Sequence, residues 1–383
     1  MVTKGTVLHI CSGYANQRLY PHLFASLHDI GVSQTVYVPM RSAAELEVPG
    51  PPRAQITYHA RHVLRRCHRV LFREKVRTVT ADVCGVAEPR ETSLVHAHFL
   101  YSDGAVAQRL HERFGMPYIA AVRNTDLNVF MKLRPDLRRR MHTIVNQAQA
   151  LVFLSPVYRE QFLGRIPQNL AQSIVGRCHV IPNGIEPLWH EVRQPKTVLP
   201  STPLRILYVG DFSTNKNVPR LLKAAARLQA LCPVILTLVG EGGNGEKAVH
   251  KLLSSKNFSF VRAVGRVNDR RRLRDIFSEN DVFAMPSLQE TFGLVYIEAL
   301  SQGLPILLSR GQGVDGYFAS GTISEVVNPY SVTSIELGLA NLAARASTQR
   351  EACIDAAKAF AWPAIAATYR ALYAEVAPAV TAI

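Results

Sequence analysis

Short apolar runs, broken by glycine, proline and polar turns, recur along this chain with longer stretches of 3.6-residue periodicity between them. In the first half, residues 6–10, 35–38, 94–98, 118–122, 151–154 and 179–181 read as buried strands. Several lead into amphipathic segments, which is the βα rhythm of a doubly wound parallel sheet. The rhythm lapses over 186–203, where prolines stand at 187, 195, 200 and 203. It restarts at 204–210 and continues through 234–239, 258–264, 282–285, 305–308 and 323–327. We therefore expect an α/β protein with two Rossmann-like halves. The first covers 1–185, a linker 186–203, and the second 204–360, followed by an amphipathic helix over 361–383. No short-period repeat argues for a solenoid.

A chain of 383 residues suits two ordinary domains, and 48% hydrophobic with 19% charged residues is globular composition. Its six cysteines are scattered without a C-x-x-C pair, so we expect a reducing compartment, no disulfide framework and no zinc site. Met1-Val2-Thr3-Lys4-Gly5 runs straight into a strand with no signal-peptide core, and no apolar run spans a bilayer. The expected location is cytoplasmic. Charge then narrows the choice of partner: 44 Lys and Arg against 29 Asp and Glu leave +15. That excess favours an anionic membrane, a phosphorylated substrate or nucleic acid.

The densest chemistry lies in Pro286-Ser287-Leu288-Gln289-Glu290-Thr291-Phe292-Gly293-Leu294-Val295-Tyr296-Ile297-Glu298. Asp281–Met285 reads as a strand ended by Pro286; after Gly293 the spacing turns helical until Gly303 and Pro305 stop it. Glu290 thus falls in a strand-to-helix loop, and Glu298 lies over a turn inside the helix. Between them the amides of Phe292, Gly293 and Leu294 point out of a helix N-terminus, a place for an anion. Carboxylates flanking a phosphate cradle suit a nucleotide sugar, with Glu298 accepting from ribose hydroxyls and Glu290 from the sugar.

Other motifs are weaker. Gly240-Glu241-Gly242-Gly243-Asn244-Gly245 satisfies G-x-G-x-x-G after a strand, but the next strand ends without the acid that would hold a ribose. Glu246 also stands where a P-loop lysine belongs. We read a glycine-rich turn. Lys216, the seventh residue of the βα loop counted from Gly210, is placed to bring a cation to a diphosphate. His96-Ala97-His98 is read as pointing to opposite faces of a strand with no third ligand, so no metal is expected.

Two stretches carry the basicity. One is residues 61–77, read as a helix with Val63, Cys67, Val70 and Leu71 on one face and Arg65, Arg66, Arg69, Arg73 and Arg77 around it. Such a helix docks on anionic lipid or simply faces solvent. The other is residues 132–140, ending Arg138-Arg139-Arg140. Neither interleaves aromatics as a nucleic-acid stacking platform, and no nucleic acid is expected as partner.

With its flanks Asn280-Asp281-Val282-Phe283 and Glu298-Ala299-Leu300-Ser301-Gln302-Gly303-Leu304-Pro305, the 286–298 block resembles the donor-binding signature of retaining glycosyltransferases of family four. The resemblance implies the GT-B fold, two Rossmann-like doubly wound parallel-sheet domains facing a central cleft. The first would bind acceptor, the second the nucleotide-sugar donor, and the closing helix would cross back to the first. It implies a hexosyltransferase-like, metal-independent enzyme with no cofactor beyond its nucleotide-sugar co-substrate. The acceptor would be a glycan, lipid-linked, in exopolysaccharide, capsule or lipopolysaccharide synthesis at the inner face of the plasma membrane.

It also assigns residues. Lys216 and Glu290 would be catalytic. Donor binding would fall to Gly13, Arg123, Gly210, Lys216, Arg266, Glu290, Phe292, Gly293, Leu294 and Glu298. Lys216 matches a family lysine that holds the diphosphate, whereas Asp211 replaces the family arginine after the loop glycine; Arg266 and Arg123 are the candidates to substitute. Arg123-Asn124-Thr125-Asp126 stands where relatives have His-Gly-Ser/Thr-Asp, and Cys11-Ser12-Gly13 lacks their double glycine. Arg65, Arg66, Arg69 and Arg73 would face the membrane or acceptor. Two other readings compete: a nucleotide-dependent oxidoreductase, resting on 240–245, and a basic nucleic-acid-binding protein, resting on charge.

Overall fold

A computed structural model describes residues 5–14, 19–42, 56–87, 91–191 and 203–380. The chain divides into two compact units. Unit 1 comprises 1–154, 159–184 and 362–383; unit 2 comprises 155–158 and 185–361.

Unit 1 is built on β1 (Thr6–Ile10), β2 (Gln34–Pro39), β3 (Thr57–Arg61), β4 (Thr92–Ala97), β5 (Tyr118–Val122), β6 (Ala150–Phe153) and β7 (Cys178–Val180). They form one parallel sheet in the order β3-β2-β1-β4-β5-β6-β7. Every residue of β5 and β6 is buried, as strands covered on both faces require. The helix Trp362–Val376 belongs to this unit, and its Trp362, Ile365, Tyr369 and Tyr373 join the core of β1, β2 and the helix Leu19–Asp29. Gly184 has no room for a Cβ, which would stand 2.6 Å from the Trp362 ring.

Unit 2 holds β8 (Leu204–Val209), β9 (Val234–Val239), β10 (Val261–Gly265), β11 (Val282–Ala284), β12 (Ile306–Ser309) and β13 (Ser324–Val327). Their order is β10-β9-β8-β11-β12-β13, again all parallel. In both sheets the winding reverses at the centre, between β1 and β4 and between β8 and β11. Open parallel sheets bind ligands at this switch point, off the carboxyl ends of the strands.

Two expectations change here. Residues 61–77 are not one helix. β3 ends at Arg61, a single 3₁₀ turn spans Arg66–Arg69, and the helix begins only at Phe72 and runs to Val86. One tertiary and one local contact accompany the break: Arg61 leaves the strand bound to Asp82 at 2.8 Å, and the Arg65 amide donates to His68 Nδ1. Leu64, His68, Phe72 and Val76 turn inward, while Val70 and Leu71 are 75% and 54% exposed. The expected linker also begins as part of unit 2. Trp189, in the turn Pro187–His190, is fully buried, and its carbonyl accepts from Gln302 Nε2 at 2.7 Å. The rest of that segment, 192–202, lies outside the described residues.

Candidate active site

In unit 2 the loops after β8 and β11 meet at the switch point. The β8 loop makes a 3₁₀ turn, Thr214–Lys216, and then Asn217 adopts a left-handed φ of 60° before the helix Val218–Gln229. The buried Asn217 amide donates to the Pro286 and Pro329 carbonyls at 2.9 and 2.7 Å. Asn215 adds a second stitch: its Nδ2 donates to the Gln289 carbonyl, and its Oδ1 accepts from the Gln289 amide. One loop is thereby fixed against the other.

This stitching delivers Lys216 to Glu290. Lys216 Nζ lies 2.6 Å from Glu290 Oε2 and 3.7 Å from Met285 Sδ, with both charged side chains largely buried. The second carboxylate oxygen of Glu290 accepts from the Thr291 amide at 3.0 Å. Its backbone is held as well, the amide donating to Gln312 Oε1 and the carbonyl accepting from the Gly313 amide and the Tyr158 hydroxyl.

The helix Leu294–Ser301 starts beside this pair. Gly293 precedes it at φ 76°, and no side chain caps it. Among the described residues the amides of Phe292, Gly293 and Leu294 have no hydrogen-bond partner. Three unpaired donors thus stand at a helix start, beside the Lys216–Glu290 pair. Further along the same helix Glu298 is half-buried, and its carboxylate has no hydrogen-bond partner among the described residues. Burial, offset by Arg270 and reinforced by Glu186, pushes its carboxyl up to about 7.

Gly210 and Arg266 line a cavity of about 290 Å³ with Asp211, Gly240 and Glu241. Here the strand ends touch so closely that a Cβ on Gly240 would lie within 1.9 Å of the Gly210 carbonyl oxygen. The glycine run 240–245 follows β9 and packs on the β8 loop: the Phe212 amide donates to the Gly242 carbonyl, and Asn244 Oδ1 accepts from Thr214. Arg266 is exposed, its Nε donating to Asn268 at 3.2 Å.

The remaining donor candidates lie in unit 1. Gly13 sits off β1, where a Cβ would strike the Phe99 ring at 2.6 Å. Arg123 is 7% exposed, and its Nε donates to the His98 carbonyl at 3.2 Å, beside Tyr369. Arg65, Arg66, Arg69 and Arg73 are exposed.

His96 and His98 do not face opposite ways. Residues two apart on a strand share a face, and their rings stack at 4.0 Å. A third histidine is also present: His9 of β1 stands opposite His96, and His9 Nδ1 is 3.1 Å from His98 Nε2. The three offer ring nitrogens within 4.8 Å of one another. Burial drives all three well below the usual histidine range, so they are neutral imidazoles; His96 bonds the Tyr373 hydroxyl at 2.7 Å. The pairing of adjacent strands, invisible in one sequence, creates this cluster.

Sequence reasoning passed over Asn215, Asn217 and Gln312. Only Asn217 carried a local signal, an Asn standing two residues before Pro219 at a helix start.

Two parallel Rossmann-like sheets are the architecture of the GT-B fold, which the chain shares with solved glycosyltransferase structures. Residues 191–360 match the family described as glycosyl transferases group 1. The protein is a glycosyltransferase, and the matched residues fall within unit 2. Among curated relatives, D-inositol 3-phosphate glycosyltransferase 2 of Catenulispora acidiphila is 26% identical over 310 residues, 75% of this chain and 71% of that one. Among solved structures, sucrose-phosphate synthase from Thermosynechococcus elongatus superposes with a TM-score of 0.72 at 20% identity, covering 97% and 98% of the two chains. HepE of Anabaena, solved in complex with UDP, gives 0.71 at 16% identity, covering 97% and 100%. Among the described residues no helix is long and apolar enough to cross a membrane.

Proposed function

We propose that the protein moves a sugar from a nucleotide-diphosphate sugar to an acceptor hydroxyl, with retention, and that unit 2 binds the donor. The observation that carries this is the Lys216–Glu290 pair at 2.6 Å beside three unpartnered amides. As the sugar–phosphate bond breaks, negative charge grows on the diphosphate; Lys216 and the amides of Phe292, Gly293 and Leu294 stabilise it. Glu290 orients Lys216 and accepts from the sugar, Glu298 accepts from the ribose, and Gly210 and Arg266 line the nucleotide end. Charge neutralisation thus rests on the chain's own groups, without a metal. UDP bound to a neighbour of the same fold supports this donor class. Retention rests on the resemblance of the 286–298 block.

The test is sugar transfer and nucleotide binding with UDP-, GDP- and CMP-sugars. Lys216→Ala is expected to lower turnover about 100-fold, roughly 3 kcal/mol of barrier, and to keep its fold. Glu290→Gln should spare nucleotide affinity and lose turnover. Normal turnover in both variants would remove the assignment.

The acceptor is read as a lipid-linked glycan, with the enzyme working peripherally at an anionic membrane. Arg65, Arg66, Arg69 and Arg73 flank the exposed Val70 and Leu71 in sequence, and this pairing of charge with apolar side chains supports that reading.

A further inference from the structure

Glu290 is held at every polar atom. Its carboxylate oxygens take Lys216 Nζ at 2.6 Å and the Thr291 amide at 3.0 Å, and its own amide donates to Gln312 Oε1 at 3.1 Å. The carbonyl accepts twice, from the Gly313 amide at 3.0 Å and the Tyr158 hydroxyl at 2.8 Å, which uses both lone pairs. Tyr158 is the most distant of these partners in sequence, 132 residues from Glu290. It also lies outside the segment 191–360 that matches the group 1 family. Residues 155–158 nevertheless belong to unit 2.

The two supports of the carbonyl differ in kind. Gly313 lies in the loop between β12 and β13, where Gly311, Gly313, Gly316 and Gly321 all hold left-handed φ, from 56° to 88°. Glycine leaves a backbone many alternatives, so such a loop is a soft reference on its own. Tyr158 instead stands in the first turn of the helix Pro156–Leu163, is 3% exposed, and has its amide bonded to Ser155 Oγ at 3.4 Å. Pro156, in the same turn, meets the glycine loop: a Cβ on Gly316 would lie 3.1 Å from Pro156 Cβ. One helical turn thus braces both Glu290 and the loop that carries Gly313.

A buried tyrosine needs a partner for its hydroxyl. Here that partner is the peptide of the residue paired with Lys216, not a group of its own helix. Groups that act on a reacting centre need to be held within about 0.5 Å of the productive geometry, by neighbours that are themselves fixed. Tyr158 meets that description.

We propose that Tyr158 is a positioning residue for sugar transfer: its hydroxyl holds the Glu290 peptide so that the carboxylate reaches Lys216 and the Thr291 amide together. It acts through Glu290, and no bond or proton of the reaction passes through its hydroxyl. This rests on the reading of Lys216 and Glu290 as the catalytic pair, and adds to that pair a residue from outside the matched family segment.

The test is a double-mutant cycle in the full chain, with Tyr158→Phe and Glu290→Gln alone and combined. The donor is whichever UDP-, GDP- or CMP-sugar wild type turns over. Tyr158→Phe is expected to lower kcat about tenfold, the scale of one hydrogen bond, with donor KM and nucleotide affinity within about twofold of wild type. The variant keeps the ring, and its melting temperature and nucleotide affinity report that it folds. In the Glu290→Gln background the same change should alter kcat by less than about twofold, because the group being positioned is gone. A merely structural tyrosine gives another pattern: an equal fold-change in both backgrounds, or nucleotide affinity that falls along with kcat. Either result overturns the proposal, as does a Tyr158→Phe kcat that matches wild type. If Glu290→Gln itself turns over like wild type, the catalytic reading of Glu290 fails and Tyr158 falls with it. If Glu290→Gln loses turnover and Tyr158→Phe does not, Tyr158 alone falls.

Discussion

Glu298 shows how much one side chain's environment decides. An isolated glutamate carboxyl would titrate at 4.5, but burial on the helix Leu294–Ser301 lifts this one to about 7. A ribose diol donates hydrogen bonds, so it prefers the ionised acceptor. We predict that affinity for a nucleotide sugar, whose diphosphate does not titrate in this range, tightens as pH rises from 6 to 8. Glu298→Gln should flatten that profile and weaken binding at pH 8. Stability runs the other way. With the folded value above the unfolded one, the group's contribution is complete below pH 4.5 and is lost as pH rises through 7, by at most about 1.4 kcal/mol per pH unit. Calorimetry across pH 5.5–8 decides: a wild-type affinity that does not change with pH would separate Glu298 from the ribose.

At the scale of elements, the anion cradle depends on the turn that starts its helix. Gly293 has φ 76°, and a Cβ there would come within 2.6 Å of the Tyr296 ring and 3.1 Å of Glu290 Cγ. The ring cannot yield, because its hydroxyl donates to the Met285 carbonyl at 2.5 Å. Gly293→Ala is expected to cost more than about 1 kcal/mol of stability and to abolish nucleotide binding. Gly242→Ala is the control, with φ 77° and open space around it. If chemical denaturation gives both variants the same loss, only backbone strain is at work. The helix and strand around Gly293 were legible in the sequence because a buried strand, a proline and a glycine punctuate them. β3 was not: Thr-Tyr-His-Ala-Arg is mostly polar, and as an edge strand it lacks the continuous apolar run of its neighbours. Residues 61–77 misled for a related reason. Their spacing fits a helical face, but the Arg61–Asp82 and Arg65–His68 bonds that accompany the break are tertiary or local polar contacts without period. Lys216 and Glu290 were each legible from their loops; their contact, 74 residues apart in sequence, was not.

For the molecule as a whole, the formal charge of +15 sets how it meets an anionic surface. Net charge of this size acts through counter-ions and falls off over a Debye length, about 10 Å at 0.1 M salt. Only basic residues brought close to the surface contribute, about 1 kcal/mol each. Arg65, Arg66, Arg69 and Arg73 are exposed within nine residues of sequence that also hold the exposed Val70 and Leu71, which makes this segment the one to test at a bilayer. We predict that wild type sediments with vesicles rich in phosphatidylglycerol at low salt, and much less at 0.5 M salt. Changing the four arginines to Gln should remove most of the low-salt binding. Changing Val70 and Leu71 to Ser should reduce the part that persists in salt. Wild type that ignores anionic vesicles at low salt, or a four-arginine variant that binds as well as wild type, would make this segment a solvated face and leave the enzyme free of the membrane.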